Sequence, residues 1–326
     1  MCTTPYKIYF SEENFVSSIQ NYYVYSKNDE VFLPQEPTKI KGFSVEKSYI
    51  IPCGKCIECC LRRASEWSLR LIHESKFHEA SCFLTLTYND KHIPFAKYDY
   101  CYTLYKRHLQ LFMKRLRKKF PSIKFRYYGC GEYGDTTARP HYHMILFGTD
   151  FSDDRELFSC GKHNLYISKT LNDLWGLGFC TIGDLTLKTA GYVAGYVTKK
   201  LKSKFKATED YNKLADSLNI SITDLYKNAL IRVPEFSIMS NRPGIGYSIL
   251  DDYGEQFLQH RYILNSNKKK CLIPRYYLKK LQERYPDLYS EYEDDLATLE
   301  SPSPKDLYRR HKYRDAIHKK FTRNVV

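Results

Sequence analysis

Apolar positions along this chain recur in two periods, near 3.6 residues and near 2, and the switches between them mark its elements. Ile57, Cys60, Leu61, Ala64, Trp67 and Leu71 share one helical face, with Arg62, Arg63, Glu66 and Arg70 filling the rest, so the spacing predicts a helix over 57–79. A second helix is predicted over 105–119, with Leu109, Phe112, Met113, Leu116 and Phe120 as its apolar stripe. Cys82–Tyr88, Ile123–Cys130, Pro140–Phe147 and Phe179–Leu187 are rich in β-branched and aromatic residues and read as strands. Gly131, Gly134 and Asp135 predict a turn over 132–139, which makes the second and third of these a hairpin; Pro140, lacking an N–H, suits the first position of its strand. Short helices are expected over 169–175 and 189–202, and 203–300 reads as mostly helical with a break at Asn241–Gly246. Residues 1–50 read as irregular or short strands, and Ser301–Pro304 as a linker to a basic tail. Mixed elements with hairpin connections predict an α+β fold with an antiparallel sheet rather than a doubly wound α/β fold.

A chain of 326 residues can bury one large core or two modest ones. It has no apolar run of membrane-spanning length, and Met1–Phe10 is too polar for a signal peptide, so no membrane partner and a cytoplasmic location are expected. The 51 Lys and Arg against 37 Asp and Glu give a net charge of +14, which favours a polyanionic partner. Thirty tyrosines and 18 phenylalanines sharpen this, because aromatics among cations suit single-stranded nucleic acid. The cations of the 105–119 helix have two readings, a solvated face or a phosphate-contacting one. Eleven cysteines without a secretory signal argue against a disulfide framework. Cys53, Cys56, Cys59 and Cys60 stand apart: Cys-x2-Cys is half of a zinc site, and the group reads either as structural zinc or as buried thiols.

Within Arg139-Pro140-His141-Tyr142-His143, the two histidines fall on one strand face while Tyr142, Met144 and Leu146 point to the other. Histidines so placed sit in a core or hold half of a metal site. Glu132, across the predicted hairpin, supplies a third, oxygen ligand in the second reading. Two imidazoles and a carboxylate leave positions open for water and phosphate, which suits Mg2+ or Mn2+. Tyr192 and Tyr196 lie one helical turn apart, followed on the same face by Lys199 and Lys200. Two aromatics at this spacing pack into a core or, beside a metal, attack a phosphodiester. The lysines argue against full burial of the face. Gly191 and Gly195 each cost about 1 kcal/mol against alanine in a helix interior, which implies a close backbone approach there.

Three segments in this order, Phe83-Leu84-Thr85-Leu86-Thr87-Tyr88, Arg139-Pro140-His141-Tyr142-His143 and Tyr192-Val193-Ala194-Gly195-Tyr196-Val197-Thr198-Lys199-Lys200, resemble the HUH endonuclease superfamily. More narrowly they are similar to the replication initiators of microviruses of the gokushovirus type, as are Pro52-Cys53-Gly54-Lys55-Cys56 and Arg242-Pro243-Gly244-Ile245-Gly246. The resemblance implies a five-stranded antiparallel sheet flanked by helices, a nicking domain over 51–205, a mainly helical extension over 206–300 and a linker and basic tail over 301–326. It implies site-specific nicking of replicative-form DNA at an origin, a 5′-phosphotyrosine link, action on the single-stranded viral strand, and rolling-circle replication. His141 and His143 are then metal ligands with Glu132 as the third, and Tyr192 and Tyr196 alternating nucleophiles. Family tyrosines often carry a lysine three residues on. Tyr196 has Lys199 there and Tyr192 has Gly195, a departure that makes Tyr196 the essential nucleophile and Tyr192 its alternate or assistant. With no Gly-x4-Gly-Lys-Ser/Thr loop, a host helicase and DNA polymerase are expected partners. Competing readings are a non-catalytic basic module for single-stranded nucleic acid, and a plasmid initiator or relaxase of the same superfamily; the paired tyrosines count against single-tyrosine types.

Overall fold

A computed structural model describes residues 51–199 apart from Lys55 and Lys162, residues 208–298, and residues 306, 309, 312 and 313; before residue 51 it describes the backbone of strands only. Side chains of residues 196–199 lie outside the described set. The chain divides into two compact units, Met1–Arg63 with Glu291–Val326, and Ala64–Ser290.

In the first unit, β1 (Tyr6–Ser11), β2 (Asn14–Gln20) and β7 (Lys47–Ile51) form an antiparallel sheet in the order β2-β1-β7. Two small hairpins precede β7: β3 (Val24–Tyr25) with β4 (Val31–Phe32), and β5 (Lys39–Ile40) with β6 (Phe43–Ser44). The expected short strands of this region are present. The helix α1 (Ile57–Ser75) begins here and stops four residues before the predicted 79, where the chain enters turns ahead of the next strand.

The second unit is built on a seven-stranded antiparallel sheet, where about five strands were expected. Its central strands are β8 (Ser81–Leu86), β12 (Pro140–Phe147), β11 (Arg126–Tyr133) and β15 (Cys180–Asp184). The extra strands are short and lie at the edges: β13 (Arg155–Ser159) and β14 (Leu165–Ser168) beyond β15, and β16 (Phe236–Met239) beyond β11. β13 is polar and largely exposed, and β16 is four residues inside a helical stretch, so neither carries a readable period.

One sheet face packs under α2 (Lys106–Lys119) and α3 (Lys169–Trp175), with Leu109, Phe112, Met113, Leu171 and Trp175 meeting Leu84, Leu86, Tyr142, Met144 and Leu146. The other face packs under α1 and α4 (Leu187–Lys199), with Leu71, Ala190 and Val193 meeting Tyr128, Cys130, Ile145 and Phe147. The strand β11 runs three residues further than the sequence predicts. A Cβ on Gly131 would come within 2.9 Å of Leu104 Cδ2 and 3.1 Å of Tyr142 Cε1, so glycine here admits covering side chains rather than making a turn.

The remainder is mainly helical, as expected: α5 (Thr208–Leu218), α6 (Ile222–Lys227), α7 (Ile249–His260), α8 (Arg275–Arg284) and α9 (Pro286–Ala297), with the small hairpins β9 (Phe95–Ala96)–β10 (Cys101–Tyr102) and β17 (Ile263–Leu264)–β18 (Lys270–Cys271). Among the described residues no helix is long and apolar enough to cross a membrane.

The predicted break at 241–246 is a buried junction. Glu74 on α1 pairs with Arg126 of β11, accepts the Gly246 N–H at 2.6 Å and contacts His78 at 3.1 Å. Arg126 also donates to Pro243 O at 2.8 Å, and Arg70 to Ile245 O at 3.0 Å. Burial pushes the Glu74 carboxyl up, but its hydrogen bonds from His78 and Gly246 and the Arg126 charge outweigh this and hold it below its ordinary value. A carboxyl depressed by folding stabilises the fold above its unfolded pKa, about 4.3, and loses that contribution as pH falls through the folded value. Removing one partner of a buried pair costs about 3–5 kcal/mol. Glu74→Gln is therefore expected to lower unfolding stability by an amount of that order at neutral pH, and by progressively less as the pH drops into the acid range. Chemical denaturation at descending pH measures both; a pH-independent difference contradicts the assignment.

Candidate active site

The candidate site stands on the face of the sheet under α1 and α4. In the β11–β12 hairpin Glu132 lies opposite His141, and Cys130 opposite His143. Residues directly opposite in an antiparallel pair share a face, as do residues two apart on one strand, so all four point the same way. The next strand places Thr85 opposite His143, and β15 places Thr181 opposite Thr85. Tyr142, Met144 and Leu146 fill the opposite core, as the alternation predicts.

Three donors converge. His141 Nε2 lies 2.6 Å and His143 Nε2 3.2 Å from the same oxygen, Glu132 Oε1, and one ligand atom from each residue falls within 4.8 Å of the others. Glu132 and His143 are buried and His141 partly so. The rings are also held from behind. His141 Nδ1 donates to Arg139 O at 3.2 Å, and His143 Nδ1 lies 3.1 Å from Thr85 Oγ1. A proton held on Nδ1 by such partners turns the Nε2 lone pair towards the common point, the usual support for a metal-binding imidazole. Phe83 stacks on the His143 ring at 5.3 Å and 14°.

The donors fit a cation. Glu132 Oε2 is buried without a hydrogen-bond partner, a deficit worth about 1–3 kcal/mol that a bound cation would relieve. Burial pushes the Glu132 carboxyl up, but hydrogen bonds to His141 and His143 prevail and keep it charged below the usual range. For His141, burial favours the neutral ring, but the Glu132 carboxylate prevails and raises its pKa. Cys130 shares the face, yet burial pushes its thiol far up, which keeps it protonated and outside the donor set.

The helix α4 brings Tyr192 to this point. Val193 and Ala190 seat the helix on the sheet, and Gly191 faces α1, where a Cβ would meet Ser68 Oγ at 3.3 Å. The close approach implied by that glycine is to α1; around Gly195 a Cβ would meet nothing within 4 Å. The Tyr192 ring stands edge-on to His143 at 5.2 Å and is 49% exposed, so it adjoins the donors and is open to a large substrate. Tyr196 and Lys199 follow on α4, with side chains outside the described residues.

Sequence reasoning missed the part of Thr85 and Phe83. Their alternation on the strand is legible, but which histidine they face depends on the strand register. Among the α2 cations, Arg115 is tied to Leu174 O at 2.6 Å and Trp175 O at 2.9 Å, so it belongs to the fold. Lys106, Arg107, Lys114, Arg117, Lys118 and Lys119 are exposed, on the sheet face opposite the donors. In the other unit, Cys53, Cys56 and Cys59 bring their sulfurs within 4.8 Å of one another. Cys60 is not in that group, which corrects the expected set of four: one residue further along a helix is rotated by about 100°.

The family model of the replication-associated protein ORF2 matches residues 81–201. The chain is 31% identical over 255 residues to the replication-associated protein VP4 of Bdellovibrio phage phiMH2K, covering 76% of this chain and 72% of that protein. It is 30% identical over 265 residues to the replication-associated protein ORF2 of Spiroplasma virus 4, covering 78% and 76% respectively. The replication-associated protein ORF4 of Chlamydia phage 1 is 34% identical over 161 residues, 47% of this chain and 39% of that protein. No solved structure matches the chain.

Calorimetric titration of the full chain with Mn2+ tests the donor set. Glu132→Gln is expected to abolish binding at this site. Thr85→Val, which removes only the support behind His143, is expected to weaken it about ten- to a hundredfold. Unchanged affinity in both variants contradicts the assignment.

Proposed function

The chain belongs to the family of replication-associated proteins of small bacteriophages, and from that premise we propose that it starts and ends rolling-circle replication by nicking and rejoining one strand of origin DNA through a 5′-phosphotyrosine link. The observation that carries this reading is the exposed Tyr192 ring set against His143, beside the convergent Glu132, His141 and His143 donors.

In this reading those three residues hold a divalent cation, Mg2+ or Mn2+, which an oxygen and nitrogen set without thiolate suits. When bound, it offsets charge on the scissile phosphate and stabilises the transition state. Arg139 O and Thr85 fix the rings so that both Nε2 atoms face one point. A phenol with a pKa near 10 is a poor nucleophile at neutral pH and needs a phosphate already positioned and partly neutralised. The tyrosine oxygen forms its bond to phosphorus as the bond to the 3′ oxygen breaks. The phenol gives up its proton and the departing 3′ oxygen gains one. One phosphodiester replaces another, the bond energy is kept for rejoining, and the freed 3′-OH primes synthesis. Tyr196, one turn further along α4, carries the second transfer while Tyr192 is occupied, and the ammonium of Lys199 favours the phenolate. The exposed cations of α2 serve sequence-independent phosphate contacts away from the reacting strand. Unwinding and synthesis fall to host helicase and polymerase.

An origin oligonucleotide labelled at its 5′ side and incubated with Mn2+ separates the roles. Tyr192→Phe and Tyr196→Phe are each expected to retain a covalent adduct but lose the second transfer, and the double variant to lose the adduct altogether. An adduct that survives in the double variant contradicts the mechanism.

A further inference from the structure

Cys53, Cys56 and Cys59 take no part in the nicking chemistry and are not joined in a disulfide. We infer that these three side chains, as thiolates, bind one zinc ion that pins the Cys53–Cys56 turn to the first turn of α1. Their Cys-x2-Cys-x2-Cys spacing brings the sulfurs within 4.8 Å of one another. Tetrahedral zinc with zinc–sulfur bonds of about 2.3 Å sets its thiolates roughly 3.8 Å apart, so the observed spread needs only a small side-chain adjustment.

The backbone around the sulfurs favours the charged form. The Cys56 N–H donates to Cys53 Sγ at 3.2 Å, a bond that strengthens when the sulfur is a thiolate. Gly54 has φ +73°, which folds the chain back so that Cys53 and Cys56 flank one point. Cys59 lies in the first turn of α1, where the helix dipole stabilises negative charge. Arg63, one turn later, reaches back until its Nη2 is 3.8 Å from where a Gly54 Cβ would stand, and so puts a cation beside a centre of net negative charge. Three thiols give up their protons to Zn2+ on binding, and the fourth coordination position is left to water or another donor.

Metal analysis of the purified full chain, together with cobalt substitution, tests this. Expected is one zinc per chain in the wild type. That zinc is retained in Cys60→Ser and in the His141→Ala/His143→Ala double variant, and lost in Cys56→Ser. Cobalt in its place gives near-ultraviolet thiolate-to-metal absorption. Should Cys56→Ser fail to fold, the wild-type cobalt spectrum and zinc-dependent protection of Cys53, Cys56 and Cys59 from alkylation decide the matter. The inference is overturned if zinc is absent, if iron is found instead, if cobalt shows no thiolate bands, or if zinc leaves with the histidines rather than the cysteines. The histidine variant loses nicking with zinc in place, which keeps the two sites apart.

Discussion

The antiparallel register of β11 and β12 is the constraint on which the candidate site rests. It sets Glu132 against His141 and carries His143 to the same face. A slip of one residue would turn both histidines into the α2 and α3 core and bring Tyr142, Met144 and Leu146 out of it. Those three are fully buried, and each apolar side chain of this kind is worth roughly 1.5–3 kcal/mol of burial. The hydrophobic contacts that hold the sheet together therefore also hold the donors in register. No separate device is required to keep two imidazoles and a carboxylate on one point.

The same economy extends to the tyrosine helix. Glu74 and Arg126 lock α1 to β11 and to the 242–246 junction. Next along α1, Ser68 meets α4 at Gly191, the residue before Tyr192. A buried ion pair far from the chemistry is thus linked by consecutive packed contacts to the ring beside His143. The donors themselves are in tension. Glu132 keeps its charge while buried, with one oxygen partnered only by imidazoles and the other by nothing. Such a group weakens the protein that lacks its cation, and sites built this way recur where function needs them.

Much of this was legible in the sequence because the local periods are strong. The alternation in 140–147 assigned both faces of β12 correctly, and the bounds of α3 agree with those read from its apolar spacing and closing glycine. The sheet edges were not legible. The strand β13 is polar on both faces, and β16 is too short to show a period inside a helical stretch. Glu132 was placed in the turn because Gly131 and Gly134 look like turn residues. The space that Gly131 leaves is filled by Leu104, Tyr142 and Phe236, three residues remote in sequence. Thr85 escaped for a related reason: its partner on the neighbouring strand follows from register, which a single strand does not encode. The cysteine group was read as four because spacing alone ignores the rotation between Cys59 and Cys60.

The most direct test of the nicking centre is to locate the covalent bond itself. The full chain is incubated with circular origin DNA and Mn2+, the adduct is digested with nuclease and protease, and the modified peptide is sequenced by mass spectrometry. The account predicts a 5′-phosphorylated nucleotide on Tyr192 or Tyr196, within one α4 peptide, and none when Glu132 is replaced by Gln. A nick that leaves no protein on the DNA, or an adduct on a residue outside α4, would contradict it.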